Sequence, residues 1–185
     1  MTALPQSDSK ANVLSILQYP DPRLRIKAKT VEDFGNEIQK IIDDMFHTLY
    51  VSENCAALAA SQLGIHYRIT VIDISENKDQ PLCLVNPEIV SREGKQFELE
   101  GCMSVAGKIY ERVHRAEKIT VKAQDRHGKP MSMTVEGFMA KCIQHEVDHL
   151  GGVLFIDHLS LIKRLRIDKK VAKAQREKQR HAADE

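Results

Sequence analysis

Six residues, Gln144-His145-Glu146-Val147-Asp148-His149, restrict this chain more than any other stretch. If they are helical, His145 and His149 project from one face, one turn apart. Two imidazoles at that spacing can bind one metal ion. Glu146 sits about 100° round the helix, off the ligand face, where a general base can reach a metal-activated water. The competing reading is a surface helix with two solvated histidines.

Two histidines leave a metal site incomplete. A catalytic tetrahedral site takes three protein ligands and keeps one position for water. Glu100-Gly101-Cys102-Met103-Ser104 is the best source of the third. Cys102 follows a glycine that lets the backbone approach closely, and a thiolate binds Zn²⁺ or Fe²⁺ strongly. Cys55, Cys83 and Cys142 read as small buried hydrophobes, with Cys142 on the same helix side as His145. Asp148 points off the ligand face, so we expect it beside the ligands or on the helix surface.

The chain has 185 residues, 42% apolar and 29% charged, and a net charge of +1. This suits one soluble domain with a real core. Charge is uneven: residues 160–181 hold nine Lys/Arg against two acids, a net +7, while residues 1–159 carry −4. No cysteine spacing resembles a disulfide framework, and no apolar run follows positive charge at the N-terminus. We therefore expect no signal peptide, no transmembrane helix, no membrane or DNA partner, and a cytoplasmic location.

Residues 1–12 read as a flexible tail, 13–160 as one catalytic domain and 161–185 as a basic helix and tail. Val13 to Leu17 suggests a short extended piece. Asn36 to Tyr50 carries apolar residues at three- and four-residue steps, an amphipathic helix. Residues 52–65 read as a small-residue connection. Tyr67 to Ile74 reads as a buried strand, and Leu82 to Val90 as another, broken by Asn86-Pro87. Lys118 to Gln124 and Met131 to Glu136 flank a polar turn and predict a hairpin. Gly137 opens the motif helix, which ends near Gly151-Gly152. The fold expected is α+β, with mostly antiparallel strands around a central HExxH helix and a C-terminal helix.

Three blocks in order resemble the peptide deformylase family: Leu58-Ala59-Ala60-Ser61-Gln62, Glu100 to Ser104, and the His-Glu-x-x-His of 145–149. Arg68 to Glu76 and Phe155 to Ser160 are similar to its flanking segments. The resemblance implies removal of the N-formyl group from the initiator methionine of nascent polypeptides. It implies one divalent ion, natively Fe²⁺ in many members, with Zn²⁺, Ni²⁺ or Co²⁺ able to occupy the site. By position, Cys102, His145 and His149 are then ligands and Glu146 the acid/base. Gln62 and the backbone N–H of Met103 stabilise the oxyanion. N-formylated nascent peptides become the partner. A C-terminal basic helix that docks on the ribosome in related bacterial enzymes gives the tail a second reading, beside that of a solvated cap.

The chain departs from that pattern in three places. The family's first block normally begins Gly-x-Gly, and here Cys55, Ala56 and Ala57 stand there, so Ala57 narrows the groove and Cys55 adds a thiol. After Ser104 the usual proline is lost. On the motif helix Phe138, Lys141 and Cys142 share the face of His145, where the family lines its methionine pocket with aliphatics at the first two. We expect the substrate pocket to include Ala56, Ala57, Glu98, Glu100, Gly101, Phe138, Lys141 and Cys142. Lys141 either meets Glu98 across the groove and alters the pocket, or snorkels to solvent along its stem. The rival functions are a catalytically weak, altered-specificity relative with a binding or regulatory role, and a Cys102 thiol hydrolase. The second leaves one histidine and Glu146 unexplained.

Overall fold

The computed structural model describes residues 11–105 and 109–183. The expectation for residues 1–12 thus falls mostly outside the described residues. Asn12 is described, and its N–H donates to Asp44 Oδ1 at 2.7 Å. The chain forms α1 (Asn36–Val51), β1 (Ala57–Ala59), β2 (Ile69–Ile72), β3 (Leu82–Glu93), β4 (Gln96–Gly101) and β5 (Tyr110–Arg115). It continues with β6 (Lys118–Gln124), β7 (Pro130–Glu136), α2 (Gly137–Leu150) and α3 (Leu161–Ala183). No helix among the described residues is long and apolar enough to cross a membrane.

Five strands form one antiparallel sheet in the order β1-β2-β3-β6-β7, and β4 pairs with β5 in a second sheet of two. The α+β expectation holds: the pairings are antiparallel, the motif helix is central and a helix closes the chain. Strand alternation places α1 and α2 on opposite faces of the large sheet. Ile69, Val71 and Val85 pack with Ile38, Ile42, Met45 and Leu49 of α1. Their neighbours Ile72 and Leu84 pack with Ala140 and Ile143 of α2. All four residues of β2 are therefore buried, and its β-branched run reflects cover on both faces. A third cluster joins Leu24, Val113, Phe155 and Leu159 to Ile167 and Val171, one turn apart on α3.

Several expected boundaries move. Residues 52–65 are not a plain connection: Ala57–Ala59 pairs with Thr70–Ile72 as an edge strand, and Ala60–Leu63 forms a 3₁₀ turn. Small residues suit a segment pressed between α1, α2 and β2. Val13–Leu17 joins no ladder; the Leu14 and Leu17 N–H groups donate to Thr48 Oγ1 and Gln62 O. The strand foreseen over Tyr67–Ile74 shrinks to Ile69–Ile72. Asn86-Pro87 does not break β3, because the strand bulges there and continues to Glu93. Asn86 takes φ +52°, and its side-chain amide bonds to both Val31 backbone groups, which holds the bulge. The β4–β5 hairpin was not foreseen at all.

Candidate metal centre

Helix α2 carries His145 and His149 one turn apart, as their spacing requires. The segment leaving β4 brings Cys102 against them. One ligand atom from each of Cys102, His145 and His149 lies within 4.8 Å of the others, and both histidines are buried. Cys102 Sγ is 3.2 Å from His149 Nε2, which is 3.2 Å from His145 Nε2. Three electron-pair donors thus converge on one point, an arrangement that a divalent cation satisfies. The donor set fits the metal that the motif implies.

Glu100, at the end of β4, accepts a hydrogen bond from His145 Nδ1 at 2.5 Å. That bond fixes the tautomer and leaves Nε2 free for the cluster. Glu100 is in turn gripped by Arg115 of β5, with Nη2–Oε1 at 2.7 Å and Nε–Oε2 at 3.0 Å. Burial pushes the Glu100 carboxyl up, but the hydrogen bonds from His145 and Arg115 outweigh it and hold it at about 2. Arg115 Nη1 also donates to Asp148 Oδ2 at 2.6 Å, and His158 reaches the same oxygen at 2.7 Å. Asp148 accordingly stands beside the ligands and outside their cluster, as its helix position suggests.

Glu146 is 3% exposed, and its Oε2 has no hydrogen-bond partner among the described residues. Burial pushes its carboxyl up to about 7. A carboxyl of that strength can take and return a proton at neutral pH. Gln62 is oriented by its own turn. Its Oε1 accepts the Ala59 N–H at 2.9 Å, so Nε2 points to Ser104 Oγ at 3.1 Å and Cys102 Sγ at 3.5 Å. Ser104 N–H also donates to Cys102 Sγ at 3.4 Å.

These groups open on a cleft of about 760 Å³. Of the pocket residues expected, Ala56, Ala57, Glu100, Gly101, Phe138, Lys141 and Cys142 line it, with Met103. Glu98 does not. It shares the strand face of Gln96 and Glu100 yet stays exposed, and the cleft position belongs to Leu99. Lys141 therefore does not pair with Glu98; its Nζ donates to Leu99 O at 2.9 Å and lies 4.9 Å from the Phe138 ring centre. Cys55 and Cys142 also line the cleft, and burial pushes each thiol up to about 12, which suits packing rather than reactivity. A Cβ at Gly101 would lie 2.5 Å from the ring of the exposed Tyr110, which would have to swing aside.

Arg115, Leu99 and Tyr110 were not singled out beforehand. The weak alternation of Phe97 and Leu99 was the one signal that could have located the hairpin.

A family model described as polypeptide deformylase matches residues 13–165. Peptide deformylase 1 of Coxiella burnetii is 58% identical over 167 residues, covering 89% of this chain and 98% of that one. Peptide deformylase of Chromobacterium violaceum is 50% identical over 167 residues, covering 90% and 98%. The crystal structure of a peptide deformylase from Legionella pneumophila superposes with a TM-score of 0.86 at 48% identity, covering 91% and 98%.

Proposed function

The chain belongs to the polypeptide deformylase family, and on that premise we propose how its residues divide the work. The protein is a metal-dependent hydrolase that removes the N-formyl group from the N-terminal methionine of nascent polypeptides and releases formate. Identity of 50–58% over nearly the full length favours this over a binding or regulatory relative.

Cys102, His145 and His149 hold the ion; their convergent donor atoms, beside a Glu146 carboxyl whose Oε2 has no hydrogen-bond partner among the described residues, are the observation that carries the proposal. A divalent cation there supplies Lewis acidity toward the formyl oxygen and acidifies a water near neutrality. Glu146 takes the proton of the attacking water. Gln62 Nε2 and the Met103 N–H donate to the oxygen that becomes negative at the tetrahedral stage. When the C–N bond breaks, Glu146 returns its proton to the leaving amine. Fe²⁺ is the native ion in this reading, and the thiolate and imidazole donors also accept Zn²⁺, Ni²⁺ and Co²⁺.

The peptide enters as a strand between two sheet edges. β1 ends the large sheet, β4 has one partner, and both contribute to the cleft. Leu99 O, held by Lys141, ties the lysine charge to the rim. Val105, Ile109, Phe138 and Cys142 supply apolar surface to the cleft, and methionine stays the preferred first residue in this reading. The cytoplasm, where formylated chains emerge, is the proposed location. On α3, Arg166, Lys169, Lys170 and Lys173 are exposed opposite buried Ile167 and Val171, and this basic face is proposed to touch ribosomal phosphates. Loss of salt-sensitive ribosome co-sedimentation on charge reversal of those four tests it.

The deciding experiment is formate release from N-formyl-Met-Ala-Ser by protein purified anaerobically with Fe²⁺, beside Glu146→Ala. Release that the variant abolishes supports the roles. Equal release by both would remove Glu146 from the mechanism.

A further inference from the structure

A second crevice, of about 620 Å³, lies where the β3–β4 turn, the end of β5 and α2 meet. It shares a buried ion pair with the catalytic cleft and meets it from the other end. Glu100 lines the cleft, and Arg115 lines the crevice. The crevice is rich in cations. Arg92 and Lys95 are exposed, and neither makes an ion pair or side-chain hydrogen bond among the described residues. The single acid in its lining, Asp148, is already engaged by Arg115 and His158. Arg115 has a side chain only 5% exposed and directs three of its five N–H donors to carboxylates, two to Glu100 and one to Asp148. His114 closes one side with its ring stacked on Phe97, centroids 4.2 Å apart.

We propose that this crevice binds a small organic phosphate, with Arg92, Lys95 and Arg115 facing the anion and His114 beside its organic body. A lone oxyanion would leave most of the volume empty, whereas cavities of this size hold compact organic ligands. Arg92 and Lys95 have no carboxylate partner among the described residues, so an anion in this concave site gains what a flat basic surface does not offer. Occupancy reaches the metal centre through Arg115. An anion beside the guanidinium offsets part of its charge, so Glu100 draws harder on His145 Nδ1–H and the imidazole binds its cation more tightly. This coupling rests on the ligand roles proposed above; the binding site does not.

The test uses the full chain loaded with Zn²⁺. Amide shifts of Gly94, Lys95 and His114 are followed by ¹H–¹⁵N NMR during titration with inorganic phosphate, with adenosine 5′-monophosphate and with chloride, at constant ionic strength. Saturable shifts at those three residues with the nucleotide, absent with chloride and lost in Arg92→Ala/Lys95→Ala, are expected. A tenfold tighter half-saturation by the nucleotide than by phosphate identifies an organic phosphate as the occupant; equal values overturn that choice. The double variant changes two exposed residues outside the cleft, so it keeps formate release. Shifts that follow chloride equally, or persist in the double variant, overturn the site. Zn²⁺ loss to the neutral chelator 1,10-phenanthroline should slow about fivefold with saturating nucleotide, in the unaltered chain alone. An unchanged rate overturns the coupling. Binding without formate release would count against the deformylase roles and leave the crevice standing.

Discussion

Helix α2 and the β4–β5 hairpin serve one site by opposite rules. The helix supplies His145, Glu146 and His149 from a regular repeat, with Ala140 and Ile143 packed on the sheet. The hairpin turns its polar residues inward: Gln96, Glu100 and Arg115 are buried, while Phe97, Leu99 and Tyr110 are exposed. Each buried polar group has a partner. Gln96 Nε2 donates to Ala116 O and Gly137 O, and Arg115 holds Glu100. The lesson is that His145 on the regular helix is oriented by Glu100, a buried charge that the hairpin itself pairs with Arg115. Burying a polar side chain without such partners is costly.

The largest effect should come from the helix. Glu146→Gln should lower kcat about 10²–10⁴-fold while metal content, read by atomic emission, stays at that of the unaltered protein. Lost metal would mean that Glu146 holds the site together and does not mainly move protons. Next comes the hairpin. Arg115→Met leaves Glu100 buried with His145 as its remaining partner, which should cost about 3–5 kcal/mol of unfolding free energy in urea melts. Glu100→Leu/Arg115→Met should recover part of that loss, since the Glu100 charge is then gone and Asp148 keeps His158 as its partner. Equal instability of single and double variants would break the contrast, because the pair would then be mere filling.

A smaller effect joins the two regions. Glu100→Gln weakens the hold on His145 and should reduce metal affinity about 10–100-fold in chelator competition, with activity restored by excess metal. Lys141→Leu should change kcat/KM for formyl-methionyl peptides by less than about threefold, under about 0.7 kcal/mol of transition-state free energy, since the Lys141 charge is held at the rim by Leu99 O. A panel varied only at the first side chain would expose a larger shift and return Lys141 to a selective role. The smallest effect concerns Cys55, whose thiol burial pushes up to about 12. It should resist iodoacetamide at pH 8 in the folded enzyme, and mass spectrometry of alkylated peptides would reveal early labelling if the pocket is looser than described.

The same contrast explains what could be read from the sequence. Elements α1, α2 and the β6–β7 hairpin announce themselves, because apolar period and turn residues agree locally. The two histidines of α2, the proposed ligands, could be picked out for that reason, and Cys102 and Gln62 followed from the blocks around them. β1 is three residues long and exists through its pairing with β2. β3 continues past Asn86-Pro87 because Val31, distant in sequence, supplies the partners for Asn86. β4 and β5 reverse the usual pattern, so their alternation points the wrong way. Arg115 belongs to no motif; Glu100 and Asp148 give it meaning only once the chain is folded.

On the proposed path of the peptide along β1, the brevity of that strand also sets a clock. Three residues of edge accommodate about 10 Å of extended chain, so a terminus becomes readable as soon as a few residues hang free. It stops being readable once those residues curl into structure of their own. The enzyme then competes with folding of its own substrates.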